Sequence, residues 1–202
     1  MAGREVDRAL EDMLRQASSF QSKYAPQEWK YSSPYDFYYR EGGSFSSEPY
    51  TPEEIEVLLD AFGGGRRRYE IQKCFYNAQT LALMESQELD YAEGYAIRYD
   101  SPIPIHHAWA VLNGKPIDVT LRPLGEKTTC DPQKLIERAS RNMQENAYWG
   151  VIVPADDVRK TWLRTKLAMP VLEDPAVQKR VLERGKPRGW KRPELSGWLY
   201  GG

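Results

Sequence analysis

The sequence predicts a single α+β domain: a buried, cysteine-bearing helix packed on an antiparallel sheet, with extra helices at both ends. Three observations carry this. Residues 71–86, IQKCFYNAQTLALMES, set apolar or small side chains nearly all round a helix (Cys74, Phe75, Ala78, Leu81, Ala82), the pattern of a helix with no solvent face. Asn113-Gly114 between two apolar runs is the strongest short hairpin signal, because both residues tolerate the positive φ of a tight turn. Thr51-Pro52-Glu53-Glu54 opens a helix, with Thr51 as cap, Pro52 in the first turn and Glu54 completing a capping box.

The remaining elements follow in chain order. Val6, Leu10, Met13 and Leu14 fall at helical spacing, so residues 4–17 read as an amphipathic helix. Residues 18–50 read as irregular and hold Tyr24, Trp29, Tyr31, Tyr35, Phe37, Tyr38 and Tyr39. A segment so aromatic does not float free, and stretch 24–39 is expected to form part of a substrate groove. Ile55, Leu58, Leu59 and Phe62 form the apolar face of the helix opened at Thr51, which Gly63-Gly64-Gly65 ends before a solvated Arg66-Arg67-Arg68 loop. Strands are expected over 91–99, 105–112 and 116–121, a helix from Asp131-Pro132 to about 144, and a strand from Tyr148 to Val153. Two basic helices follow, the second starting at Asp174-Pro175. The core thus spans about 51–154, preceded by a helix and aromatic segment over 1–50 and followed by a basic helical extension over 155–202.

Composition narrows the function. Of the 202 residues, 41% are hydrophobic and 28% charged, an ordinary globular balance, and the net charge is −1. From Ala155 onward stand 11 Lys/Arg and 6 Asp/Glu, a local +5, against 17 and 23 before it, a local −6. The basic end reads as a solvated helical face rather than a nucleic-acid arm, even with Trp162, Trp190 and Trp198 on it. No stretch approaches the ~20 apolar residues of a membrane-spanning helix, and MAGREVDRALEDM has no secretory h-region, so a reducing cytoplasm is expected. Cys74 and Cys130 are the two cysteines, too few for a disulfide framework, and no CxxC pair suggests zinc. Cys130 has no histidine after it and reads as structural or incidental.

The chemistry gathers at Cys74. A thiol nucleophile needs stabilisation of its anion, a base in reach, and a group that fixes the base in one tautomer. Cys74 lies near a helix start, where unpaired N–H groups favour a thiolate and can bind an oxyanion. Counting outward from Asn113-Gly114, Leu112 faces Lys115, Trp109 faces Asp118 and His107 faces Thr120. His107 and Asp118 are then diagonal neighbours on one face, about 7–8 Å apart and bridgeable by their side chains, while His106 points to the other face. Cys74, His107 and Asp118 are also metal-ligand types, but one thiol with no paired spacing argues against a metal site.

These residues together resemble the transglutaminase-like, papain-like cysteine superfamily: a helix-borne cysteine, a strand ending in Gly-Tyr, then His-Ala-Trp, then Asp-x-Thr. Here they stand as Cys74 in QKCFYNA, Gly94-Tyr95, His107-Ala108-Trp109 and Asp118-Val119-Thr120, over about residues 70–121. The resemblance implies a transglutaminase-like core and a Cys74–His107–Asp118 triad that attacks an amide or related acyl carbon and passes through a thioester, without a cofactor. Gln72, Trp109 and Asn77 are the accompanying substrate-binding or oxyanion candidates, Asn77 also as a brace one turn after the cysteine. The partner implied is a protein, peptide or other amide-bearing substrate. Animal transglutaminases carry Gly-Gln-Cys-Trp where this chain has Gln72-Lys73-Cys74-Phe75, and arylamine N-acetyltransferases carry Arg-Gly-Gly-x-Cys where it has Glu70 to Cys74. Hydrolysis is therefore expected over amine or acetyl transfer. A catalytically silent interaction module is the alternative, and the complete triad argues against it.

Overall fold

The computed structural model describes residues 2–63, 69–70, 72–85, 87–98, 101–121 and 129–193. Over these residues the chain is α+β, with seven α-helices and a curled antiparallel sheet of five strands. The elements in order are α1 (Ala2–Gln21), α2 (Pro34–Glu41), β1 (Gly43–Ser44), α3 (Pro52–Gly63), α4 (Cys74–Thr80), β2 (Asp90–Arg98), β3 (Ser101–Leu112), β4 (Lys115–Ile117), α5 (Pro132–Glu145), β5 (Asn146–Val153), α6 (Ala155–Thr165) and α7 (Pro175–Arg184). A π-helical turn, Leu81–Glu85, extends α4, and a 3₁₀ turn, Val171–Glu173, precedes α7. The sheet order is β1-β5-β2-β3-β4. No described helix is long and apolar enough to cross a membrane.

The expected helices at both ends are present, with α1 starting two residues before and ending four residues after the expected 4–17. The stretch read as irregular, 18–50, contains α2 and β1. Its start signal is local: Ser33 accepts a hydrogen bond from the Asp36 N–H at 3.2 Å, and Pro34 occupies the first turn. Its rings mostly build the core rather than an open groove, with Tyr31 and Phe37 at 0% and Tyr38 at 1% exposure, packed against Leu10 and Leu14 of α1 and Trp149 and Val151 of β5. Tyr24, by contrast, is strongly exposed. The capping box at Thr51 forms as read, with Glu54 Oε2 accepting from the Thr51 N–H at 2.8 Å. The expected triple-glycine stop and arginine loop at 64–68, and Trp198, lie outside the described residues.

The hairpin has the register counted from its turn, with Leu112 opposite Lys115, Val111 opposite Pro116 and Ala110 opposite Ile117. Asn113 and Gly114 take φ of 52° and 77°, as a two-residue turn between twisted strands requires. The strand expected over 116–121 ends at Ile117, because the Asp118 carboxylate takes the next backbone N–H groups into a turn. β3 starts at Ser101, earlier than expected, despite Pro102 and Pro104. Between its pairings with Ala96 and Arg98 of β2, the strand runs from Ile105 to Ser101, and in that bulge no ladder N–H is demanded of a proline. Gly94 of β2 sits opposite His107 on one side and Gly150 of β5 on the other. A Cβ at Gly94 would run into the Trp149 carbonyl, so only glycine allows the two strands to close up there.

Candidate active site

Cys74 is the first residue of α4. The Asn77 N–H closes the first turn on the Lys73 carbonyl at 2.9 Å, so the N–H groups of Cys74, Phe75 and Tyr76 have no acceptor within the helix. Gln72, two residues earlier, sits at φ 61°, a left-handed turn that swings the chain into α4, and it is exposed. Both cysteines are free thiols, Cys74 half-buried and Cys130 exposed.

Strand alternation sends His106 and His107 to opposite faces. β4 stops pairing with β3 at Ala110, and beyond that point α4 flanks β3. His107 is 2% exposed and Asp118 1%. His107 Nε2 meets Asp118 Oδ2 at 2.8 Å, and Cys74 is near enough to the same imidazole to influence its charge. Asp118 is held by four donors. Oδ1 accepts from the Thr120 N–H at 2.8 Å and the Leu121 N–H at 3.2 Å, and Oδ2 accepts from Tyr148 Oη at 3.0 Å as well as from His107. The Asn146 amide donates to Tyr148 Oη at 3.4 Å, so the phenol proton is directed at Asp118.

Burial alone pushes an imidazolium's pKa down, but the Asp118 carboxylate outweighs it, and with the Cys74 contact the His107 pKa is raised to about 10. For Asp118 burial pushes upward, while the His107 charge and the Thr120 and Leu121 N–H groups bring its pKa below the ordinary carboxylate value. At neutral pH the ring therefore carries both protons, one of them directed at the Asp118 carboxylate. An imidazolium beside a thiol stabilises the thiolate and can return a proton to a departing group.

No family model, curated protein or solved structure matches the chain. The reading of the site rests on its own geometry. Cys74, His107 and Asp118 come together, with His107 hydrogen-bonded to Asp118 and neighbouring Cys74. Asn77 is a stitch: its amide exchanges hydrogen bonds with Glu70 N–H and C=O at 3.1 and 2.7 Å and donates to Thr120 Oγ1 at 2.9 Å. It ties the segment before the cysteine to the turn after Asp118, which is why asparagine at one helical turn and threonine two residues past the aspartate belong together. Trp109 is 1% exposed, stacked with its ring centroid 6.1 Å from that of His107 and edge-on to Phe45 at 5.0 Å, so it forms the floor beneath the imidazole. Among the described residues no group of three or more His, Cys, Asp or Glu is placed to hold a metal.

Sequence reasoning missed Tyr148 and Asn142. The Asn142 amide bonds the Asp118 and Leu121 carbonyls at 2.7 and 2.6 Å, closing the turn from α5. It also missed Glu93, wholly buried on β2, which accepts from Tyr38 Oη at 3.1 Å, Tyr91 Oη at 2.8 Å and the N–H groups of Val171 and Leu172 at 2.7 and 2.8 Å. Burial holds this carboxyl above the ordinary range even so. Glu93 and the His106–Glu173 contact of 3.0 Å fasten the 3₁₀ turn to the sheet beside α4. His106 stacks on Tyr95 at 5.2 Å and meets Phe75, the neighbour of Cys74, edge-on at 5.3 Å.

Proposed function

We propose that the chain is a cysteine-dependent hydrolase of amide bonds, built on a transglutaminase-like core. The observation that carries the proposal is the buried His107 imidazole, hydrogen-bonded to the Asp118 carboxylate at 2.8 Å and neighbouring Cys74. The Cys74 sulfur attacks the amide carbon as a thiolate paired with the His107 imidazolium. The carbonyl electron pair moves to oxygen, and the N–H groups at the start of α4 are the candidate donors for that oxyanion. The tetrahedral adduct collapses, the C–N bond breaks, and His107 gives its proton to the leaving amine. His107, now neutral, takes a proton from water as the water oxygen attacks the thioester. The C–S bond breaks, the acid leaves, and the thiolate–imidazolium pair is restored. Asp118 keeps the ring in one orientation throughout and stabilises its charged form.

Water is the proposed acceptor because favouring an amine requires a site that holds the amine close and excludes water. The test is incubation with a pool of reactive peptides and excess labelled primary amine, with Cys74 adducts and products read by mass spectrometry. A Cys74 thioester followed by release of acid is the expected result. Label incorporation outrunning hydrolysis overturns the choice of acceptor, and absence of any Cys74 adduct overturns the proposal.

A further inference from the structure

The indole N–H of Trp109 is buried and has no hydrogen-bond partner among the described residues. A buried tryptophan usually gives that N–H to an acceptor, because an unpaired donor away from water costs folding free energy. Two other buried tryptophans do so: Trp149 Nε1 donates to the Tyr38 carbonyl and Trp190 Nε1 to Asp157 Oδ2, each at 2.8 Å. Something other than its N–H therefore sets the Trp109 ring. Its edges and faces are all engaged. Phe45 stands edge-on to it at 5.0 Å, and Tyr148 meets it tilted at 4.9 Å. The ring reaches across the sheet to Gly150 of β5, where a Cβ would come to 3.1 Å from Trp109 Cη2. On β2 its partner is Ala92 and that of His107 is Gly94, so no large β2 side chain lifts the two rings off the sheet.

His107 lies two residues back along β3 on the same face, its ring stacked on the indole at 6.1 Å with 27° between the planes. That is close to the ~6 Å over which the face of an indole attracts a cation, and burial of both rings removes the water that would weaken the attraction. The other polar groups around the imidazole are Asp118 from the turn after β4, Cys74 from α4 and Tyr148 from β5, whose ring is 6.4 Å away. The Asp118 bond holds one ring nitrogen, and a flat neighbour holds the plane. We propose that Trp109 is a positioning residue for His107: the indole face fixes the plane of the imidazole and stabilises its charged form. The inference rests on the reading of His107 as the base of the site. It acts in the same direction as the Asp118 carboxylate, which raises the affinity of the ring for its second proton.

The test alters the electrons of the indole and keeps its shape. Tryptophan bearing one, two or three ring fluorines, placed away from Cη2 where the ring meets Gly150, is incorporated at position 109 of the full chain. The His107 ring nitrogens are followed by ¹⁵N NMR across pH, with His107→Gln identifying their signals. Fluorine draws electron density out of the ring face, so the His107 pKa is expected to fall with each fluorine, by about 0.4–1.5 pH units in all. Benzothienylalanine at 109 exchanges the N–H for sulfur and keeps the face. It is expected to leave both the His107 pKa and the melting temperature unchanged, since the N–H holds nothing. A His107 pKa indifferent to fluorine, or a benzothienylalanine chain that melts markedly lower, overturns the proposal. The titration needs no substrate and no Cys74 adduct, so loss of the hydrolase reading and loss of this one are told apart.

Discussion

Asp118→Asn keeps the shape of the side chain and changes only which atoms donate. The two backbone donors, Thr120 N–H at 2.8 Å and Leu121 N–H at 3.2 Å, require an oxygen at the Oδ1 position. The new amide nitrogen is thereby forced to the Oδ2 position, opposite His107 Nε2 at 2.8 Å and Tyr148 Oη at 3.0 Å. An amide N–H there demands a lone pair on Nε2, so the ring becomes neutral with its one proton on Nδ1 and no free lone pair for a thiol proton. The base is lost without a change of fold, and a loss of ~10²–10⁴ in rate is expected for a proton-transfer group put out of action. Tyr148 has its acceptor taken by Asn146 and now faces another donor, leaving a buried hydroxyl unpaired at a cost of about 1–3 kcal/mol. The assay is alkylation of Cys74 by iodoacetamide across pH, alongside thermal melting of the same sample. A variant that melts somewhat lower and alkylates at least ~100-fold more slowly at pH 6 is expected. Wild-type alkylation with an unchanged melting temperature refutes the reasoning and removes Asp118 from the site.

The histidines separate by face: His107→Ala is expected to abolish Cys74 reactivity and turnover, and His106→Ala to retain most of both, read on folded protein; reversed losses contradict the register. Tyr148→Phe removes a donor to the Asp118 carboxylate, which makes that group easier to protonate. The acid limb of the Cys74 alkylation profile is expected to move to higher pH, with about 1 kcal/mol lost in denaturant melts. The raised His107 pKa predicts a pH dependence of stability. Folded His107 holds its proton from the unfolded value of 6.5 up to about 10, so its contribution is complete below pH 6.5 and is lost as pH rises toward 10. Melting temperatures measured from pH 6 to 10 are expected to fall in the wild type, and His107→Gln is expected to remove most of that slope.

What the sequence made legible was local. Asn113-Gly114 fixed which residues share a face, and from that alone His107 and Asp118 could be paired and His106 assigned to the other side. Thr51 and Glu54 marked a helix start that formed as read. The partners of Asp118 beyond His107 were not legible. Tyr148 and Asn142 lie 30 and 24 residues downstream, on a strand and a helix whose own patterns say only that they are buried. Glu93 sits in a stretch, Tyr91 to Ile97, that reads as an ordinary strand, and its burial depends on N–H groups 78 and 79 residues away. The helix at Pro34 had a readable cap in Ser33, but its run of aromatic residues masked the helical period. The change from α to π geometry at Leu81 has no signal in composition at all.

The central claim is that His107 and Asp118 make Cys74 a reactive thiol, and competitive alkylation of the two cysteines tests it most directly. Exposure favours Cys130, which is open to solvent, over the half-buried Cys74. At pH 6 an ordinary thiol, with a pKa of about 8.5, is almost wholly protonated and slow. With limiting iodoacetamide at pH 6 and peptide mapping by mass, Cys74 is expected to be modified well ahead of Cys130. Equal rates, or Cys130 ahead, would contradict the account.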